Sequence, residues 1–349
     1  MELTAILKKV VELKGSDIFV IPGVPVMTKV KGNIVRLDDE RMLPGDTANL
    51  IGQIYSLANR TMDVLDREGD DDFSFAVKDL SRFRCNAYRQ RGSLAATCRV
   101  VTFGLPDPKT YNIPDQVMKL SELRSGMVLV TGPAGSGKST TLACLLDRIN
   151  STRSGHIVTI EDPIEYLHSH KKSLVSQREV PNDSPTFSRA LRAVLRQAPD
   201  VIMLGEMRDM ETIRTSITAA ETGHLLLSSL HTIGASKTVD RILDVFPAEQ
   251  QPQIRVQLSM VLKAVVSQRL ITTSDGSLRA VFEVMTCNAA VQNLIREGRT
   301  HQIDNAIYAG GSDMLSMDQE LIRLVKERKI DRENALSYSI APDALAKRI

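Results

Sequence analysis

The residues with the plainest chemical purpose lie between Gly132 and Ser139, which read Gly-Pro-Ala-Gly-Ser-Gly-Lys-Ser. The G-x-x-x-x-G-K-S spacing turns consecutive backbone N–H groups toward a polyphosphate at the start of a helix. Glycines let the backbone approach closely, Lys138 supplies a flexible point charge for the outer phosphates, and the Ser139 hydroxyl is suited to ligate Mg2+. The predicted cofactors are therefore ATP and Mg2+, cradled by Gly132, Pro133, Ala134, Gly135, Ser136, Gly137, Lys138, Ser139 and Thr140.

Hydrolysis of ATP also needs a metal shell, a group that orients the attacking water and positive charge on the transferring phosphoryl. In Thr159-Ile160-Glu161-Asp162-Pro163-Ile164-Glu165 an apolar strand delivers acids at its carboxyl end, the edge where open α/β sheets bind ligands. Glu161 is the predicted catalytic base; the competing role for these acids is to cap a turn at Pro163. Beyond the hydrophobic strand Val201–Leu204 stands Glu206, placed to hold a metal-bound water. Many phosphate-loop ATPases end this strand with Asp, but Gly205 is here, so the Mg2+ shell is expected to rest on Ser139, Glu206 and water. Arg208 and Asp209 either join the site or pair with each other. His224 and His231 bracket a third strand, Leu225–Leu230, and each is a candidate sensor of the γ-phosphate or a structural histidine. Near the N-terminus, Arg84, Arg91 and Arg99 form either an exposed basic sheet face or a source of arginine fingers. Arg189, Arg192 and Arg196, at helical spacing, fit a solvated or subunit-contact face.

The elements that must position these groups follow from periodicity. An apolar strand precedes the loop, and Leu142, Leu145, Leu146 and Ile149 continue it as a helix. Strands at Ile157–Ile160, Val201–Leu204 and Leu225–Leu230 then alternate with helices at Ser184–Gln197, Met210–Ala220 and Ala235–Val245, which predicts a mostly parallel sheet covered by helices. From Asn288 the chain reads as mainly helical, clearest over Ala289–Arg296 and Met317–Lys329. The N-terminal part differs: a helix from Leu3 stopping at Gly15, strands Asp17–Ile21 and Val26–Val30, a tight turn at Gly32-Asn33, and a strand Ile34–Leu37. A helical pair over Leu43–Leu65 and strands Asp72–Val77, Arg82–Arg89 and Leu94–Thr102 complete a small α+β domain ending near Phe103. The predicted division is thus residues 1–103, a proline-bearing linker over 104–123 with a short helix from Pro114 to Leu123, and an α/β domain over 124–349 with a helical tail.

Composition narrows the partners. The 349 residues suit about two domains, and a net charge of +2 supplies no bulk basic field for nucleic acid. The apolar N-terminal run is broken by Glu2, Lys8 and Lys9 and no stretch reaches the ~18 residues of a membrane span, so a cytoplasmic protein is expected. Cys85, Cys98, Cys144 and Cys287 have no C-x-x-C spacing and are expected to be small buried apolar residues.

Taken together these stretches resemble the type II/IV secretion ATPases, and within them the type IV pilus retraction group. Ser16-Asp17-Ile18, Gly23-Val24-Pro25, Arg82-Phe83-Arg84, Thr159–Glu165, Gly205-Glu206-Met207-Arg208-Asp209, Thr222–Thr232 and Val245-Phe246-Pro247-Ala248-Glu249 stand in family order over nearly the whole chain. The resemblance implies a PAS-like N-terminal domain, a RecA-like ATPase domain and a ring hexamer. It places nucleotide sites between the two domains, completed by N-terminal arginines such as Arg84 and Arg99. It also implies a motor that hydrolyses ATP to drive pilus retraction and twitching. Such a motor works at the inner-membrane pilus base with a platform protein and a related motor ATPase as partners. Phe19 replaces the family's usual His after Ser-Asp-Leu, and Gln292 replaces the first Arg of the retraction group's Ala-Ile-Arg-Asn-Leu-Ile-Arg-Glu. Pilus-assembly relatives carry a longer N-terminal region and a four-cysteine zinc module, so assembly or an accessory role ranks behind retraction. A nucleic-acid-translocating ring ranks last.

Overall fold

The computed structural model describes residues 2–78, 80–101 and 104–349. The chain divides into two compact units, Met1–Gly104 with Glu165–Leu167, and Leu105–Ile164 with His168–Ile349. Each has its own hydrophobic core or cores, and each is built of helices packed on one sheet, antiparallel in the first unit and mostly parallel in the second.

The first unit runs α1 (Leu3–Glu12), β1 (Asp17–Val20), β2 (Met27–Val30), β3 (Asn33–Arg36), α2 (Pro44–Leu57), α3 (Asp63–Glu68), β4 (Asp70–Val77), β5 (Ser81–Gln90) and β6 (Ser93–Val101). Its six strands lie in the order β3-β2-β1-β6-β5-β4, with neighbours antiparallel. Helix α1 buries Leu3, Ile6, Leu7 and Val10, the i, i+3, i+4, i+7 stripe of a helix packed on one side. The β2–β3 turn is Lys31-Gly32, one residue before the predicted Gly32-Asn33. Both turn residues have positive φ, 49° and 86°, as a two-residue hairpin turn requires, and Val30 pairs with Asn33. The predicted boundary at Phe103, like Thr102, falls outside the described residues.

The second unit begins with α4 (Asp115–Lys119) and continues β7 (Gly126–Thr131), α5 (Lys138–Thr152), β8 (His156–Glu161), β9 (Leu174–Glu179), α6 (Phe187–Val194), β10 (Val201–Leu204), α7 (Met210–Glu221), β11 (Leu225–Leu230) and α8 (Ala235–Asp244). It closes with α9 (Gln251–Val261), β12 (Leu262–Thr272), β13 (Leu278–Thr286), α10 (Ala289–Arg296), α11 (Ile303–Ala309), α12 (Met317–Lys326), α13 (Arg332–Tyr338) and α14 (Pro342–Leu345). The seven strands lie in the order β13-β12-β7-β11-β10-β8-β9, all pairs parallel except β12 with β13. Every residue of β7, β10 and β11 is buried, because helices cover both faces; this is why these strands are largely apolar, with only Thr131, Ser228 and Ser229 polar among them.

Three expectations change here. Residues 105–123 group with the second unit: Ile113, Val117 and Leu120 are buried in a core with Val128 of β7 and Leu145 of α5, so this segment is a packed part of that unit. Helix α6 is shorter than Ser184–Gln197, because the Thr186 hydroxyl accepts the Arg189 N–H and caps it there. Strands β9, β12 and β13 were not expected at all. Among the described residues no helix is long and apolar enough to cross a membrane, and the four cysteines are free and buried.

Candidate nucleotide-hydrolysis site

Because β7, β8, β10 and β11 are parallel neighbours, their carboxyl ends form one continuous edge. The loop after β7 enters α5 through Gly137, a left-handed N-cap (φ 88°) that brings no side chain to cap the first helical N–H groups. A Cβ on Gly132 would stand 2.1 Å from the Gln268 carbonyl oxygen, so only glycine fits where the loop crosses β12. Lys138 is buried, and its Nζ donates to the Gly132 and Pro133 carbonyls at 3.0 Å each, which holds the ammonium under the loop. The Thr131 and Ser136 hydroxyl oxygens are buried with no hydrogen-bond partner. Buried polar atoms ordinarily are paired. Orphan hydroxyls, uncapped N–H groups and a buried ammonium in one loop are the donor set that a polyphosphate satisfies.

Glu161 is the last residue of β8 and only 8% exposed. Its Oε1 accepts the Thr159 hydroxyl at 2.6 Å and the Gln177 amide at 3.2 Å. Thr159 lies two residues back on the same strand face, and Gln177 comes from β9, opposite Thr159 in register. The Gln177 Oε1 in turn accepts the His168 N–H at 2.8 Å, which fixes the amide so that it presents its NH2 to the carboxylate. Thr159 and Gln177 are therefore site residues that the motif reading missed. The first was available as the i−2 neighbour of Glu161; the second depends on an unforeseen strand.

Beyond β10, a Cβ on Gly205 would lie 3.4 Å from the Glu161 Cα, so the chain leaving β10 runs against the Glu161 backbone. The Ser229 hydroxyl donates to the Gly205 carbonyl at 2.6 Å and ties that exit to β11. Glu206 follows, half-buried, its Oε2 2.8 Å from Arg208 Nε and 3.4 Å from His231 Nε2. Asp209 does not pair with Arg208. It caps α7, accepting the Thr212 N–H at 2.8 Å and the Thr212 hydroxyl at 2.7 Å, while Arg208 takes Glu206. Arg192 is engaged with Glu211 on the surface.

The structure separates the two histidines. His231 follows β11 at the edge shared with the loop, whereas His224 precedes it at the opposite edge, level with Gly126. The six residues of β11 span roughly 20 Å at about 3.3 Å each. Within one chain His224 therefore cannot reach the loop. Its Nδ1 lies 2.9 Å from the Ala219 carbonyl and 3.1 Å from the Thr222 hydroxyl, closing the turn after α7.

Arg84 and Arg99 belong to the first unit and sit directly opposite each other on β5 and β6, both exposed. Arg99 Nε is 3.0 Å from Asp17. Burial pushes the Asp17 carboxyl up, but the Ser16 hydroxyl and Arg99 together leave it below its ordinary value. Arg91 stands at φ 47° in the β5–β6 turn.

Residues able to hold a divalent metal here are few. Ser139, half-buried in the first turn of α5, and Glu206 are at the same sheet edge, and no cluster of three or more His, Cys, Asp or Glu side chains forms a metal site among the described residues. A hydroxyl, one carboxylate and open space for phosphate oxygens and water suit Mg2+, which takes few protein ligands.

Comparison with known proteins places these features in a lineage. The profile of the type II/IV secretion system protein family matches residues 100–340. The chain is 42% identical over 345 residues to the type IV pilus retractation ATPase PilT of Pseudomonas aeruginosa, covering 98% of this chain and 99% of that protein. It is 44% identical over 311 residues to a twitching motility protein of Neisseria gonorrhoeae, covering 88% and 83%. The crystal structure of the pilus retraction motor PilT with bound ADP superposes with a TM-score of 0.91 at 43% identity, covering 99% of both chains.

Proposed function

The chain belongs to the type II/IV secretion system protein family, and from that premise we propose that it is an ATP-hydrolysing motor of type IV pilus retraction that works as a ring of six copies. The observation that carries this is the convergence of the phosphate loop, Glu161, Glu206 and His231 on one edge of four adjacent parallel strands. Lys138 and the loop N–H groups bind the phosphates of ATP. Glu161, held by Thr159 and Gln177, takes the proton of the attacking water, and Glu206 orients that water with His231 alongside. Bound Mg2+ would neutralise phosphate charge, and Ser139 and Glu206 are the residues that would hold it.

Arg84 and Arg99 supply the positive charge. Both are exposed neighbours across β5 and β6, and Arg99 also pairs with Asp17. The force is delivered to a platform protein of the pilus base, with the ring cytoplasmic and peripheral to the inner membrane; a related motor ATPase is a further partner and nucleic acid is not. Deletion of the gene followed by counting surface pili tests the direction of work. Excess pili without twitching is the expected result, and cells without pili would assign the motor to assembly instead.

A further inference from the structure

Ser267 and Gln268, adjacent on β12, touch two different parts of the site. Successive side chains of a strand point to opposite faces. Ala264 and Val266 pack in the core that contains Leu142 and Leu145 of α5, whereas Val265 packs in the core that contains Val239 and Ile242 of α8. Gln268 therefore faces the phosphate loop and Ser267 faces the turn between β11 and α8.

The contacts agree with that geometry. The Gln268 Oε1 accepts the Thr141 hydroxyl at 2.7 Å in a buried hydrogen bond. Its amide nitrogen lies so near the loop that a Cβ on Gly137 would stand 2.9 Å from it. On the other face, α8 starts at Gly234, an N-cap without a side chain, so the helix cannot cap its own first N–H groups. The sheet caps them: the Ser267 hydroxyl oxygen accepts the Gly234 N–H at 2.9 Å, and Glu283, paired with Ser267 on β13, accepts the Ala235 N–H at 3.0 Å. Three residues before Gly234 is His231, which faces Glu206.

We propose that Ser267 and Gln268 are positioning residues that reference the phosphate loop and the His231 turn to a single strand, Gln268 setting nucleotide binding and Ser267, with Glu283, setting turnover. The assignment rests on the hydrolytic function argued above. It divides two kinetic constants between two neighbouring side chains, which a merely structural role would not do.

The test is steady-state ATPase kinetics and binding of a fluorescent ADP analogue, on the full chain, for Gln268→Met, Thr141→Val, their double variant, Ser267→Ala, Glu283→Gln and Glu283→Leu. Wild type and Glu161→Gln run alongside, so a failure of the hydrolytic assignment shows itself separately as an inactive wild type or an active Glu161→Gln. Loss of one buried hydrogen bond predicts about a tenfold weaker ADP affinity for Gln268→Met and for Thr141→Val, with no further loss in the double variant. Ser267→Ala and Glu283→Leu are expected to lower kcat about tenfold at unchanged affinity, and Glu283→Gln, which keeps an acceptor oxygen, to recover most of it. Should Gln268→Met and Ser267→Ala change affinity and kcat in the same proportion, or neither change either by more than about twofold, the proposal is overturned.

Discussion

The two ends of β11 carry the same side chain in opposite circumstances. At the carboxyl end His231 is exposed and faces Glu206 beside the phosphate loop; at the amino end His224 is tied to the Ala219 carbonyl and Thr222. Between them lie six buried residues, four leucines that fill the sheet and Ser228 and Ser229, whose hydroxyls donate to the Leu204 and Gly205 carbonyls of β10 and its exit. The difference teaches that in a parallel sheet the edge on which a residue falls decides its chemistry. All carboxyl ends gather at one edge, and there the loops meet the first N–H groups of the next helix.

The largest effect should come from the loop itself. Lys138→Ala removes the buried ammonium and should weaken ADP binding roughly 100-fold, the worth of charge-assisted hydrogen bonds, measured by titration with a fluorescent ADP analogue.

The acceptor that caps α8 also makes stability depend on pH. Burial raises Glu283 to about 7, helped by Asp304 and Asp318 and opposed by the Ala235 N–H and Arg269. Between the ordinary carboxylate value near 4.5 and about 7, the folded chain holds a proton that the unfolded chain has released. Stability therefore falls as pH rises through that window, by up to about 3 kcal/mol. Glu283→Gln should remove this slope, so that urea unfolding shows the variant gaining on wild type at pH 8 relative to pH 5. An unchanged slope would remove Glu283 as its source.

The smallest effects separate the histidines. His231→Ala should lower kcat by about tenfold at unchanged ADP affinity, while His224→Ala should leave ADP affinity within about twofold. A loss of affinity in His224→Ala would break the comparison. A loss of turnover alone would sharpen it, by assigning the amino edge to contacts between copies of the chain.

How much of this was readable beforehand follows from burial. Val201–Leu204 and Leu225–Leu230 are legible to the residue because strands covered on both faces are mostly apolar, Ser228 and Ser229 being the small polar exceptions. Strand β12 is not, since its buried Ser267 and Gln268 interrupt the apolar run and α9 passes into it without a turn residue, Val261 being followed at once by Leu262. The Asp275-Gly276 pair between β12 and β13 is the one sequence signal of that hairpin. Strand β9 is an edge strand of mixed polarity, and with it went Gln177, the partner of Glu161. Motif spacing singles out Glu161, Glu206 and His231 as candidates by residue type, and the fold sets them at the carboxyl edge of β8, β10 and β11. It could not find Gln177 and Gln268, which act only through neighbours that the fold supplies, whereas Thr159 was within reach as the i−2 neighbour of Glu161.

The most direct measurement is the rate at which bound ATP is cleaved by Glu161→Gln. The amide keeps the shape of the side chain but cannot accept the water's proton, so nucleotide binding should stay within about twofold while turnover falls by roughly 100-fold or more. Cleavage at the wild-type rate by this variant would contradict the account and move the proton-accepting role to another acid of that edge, such as the adjacent Asp162.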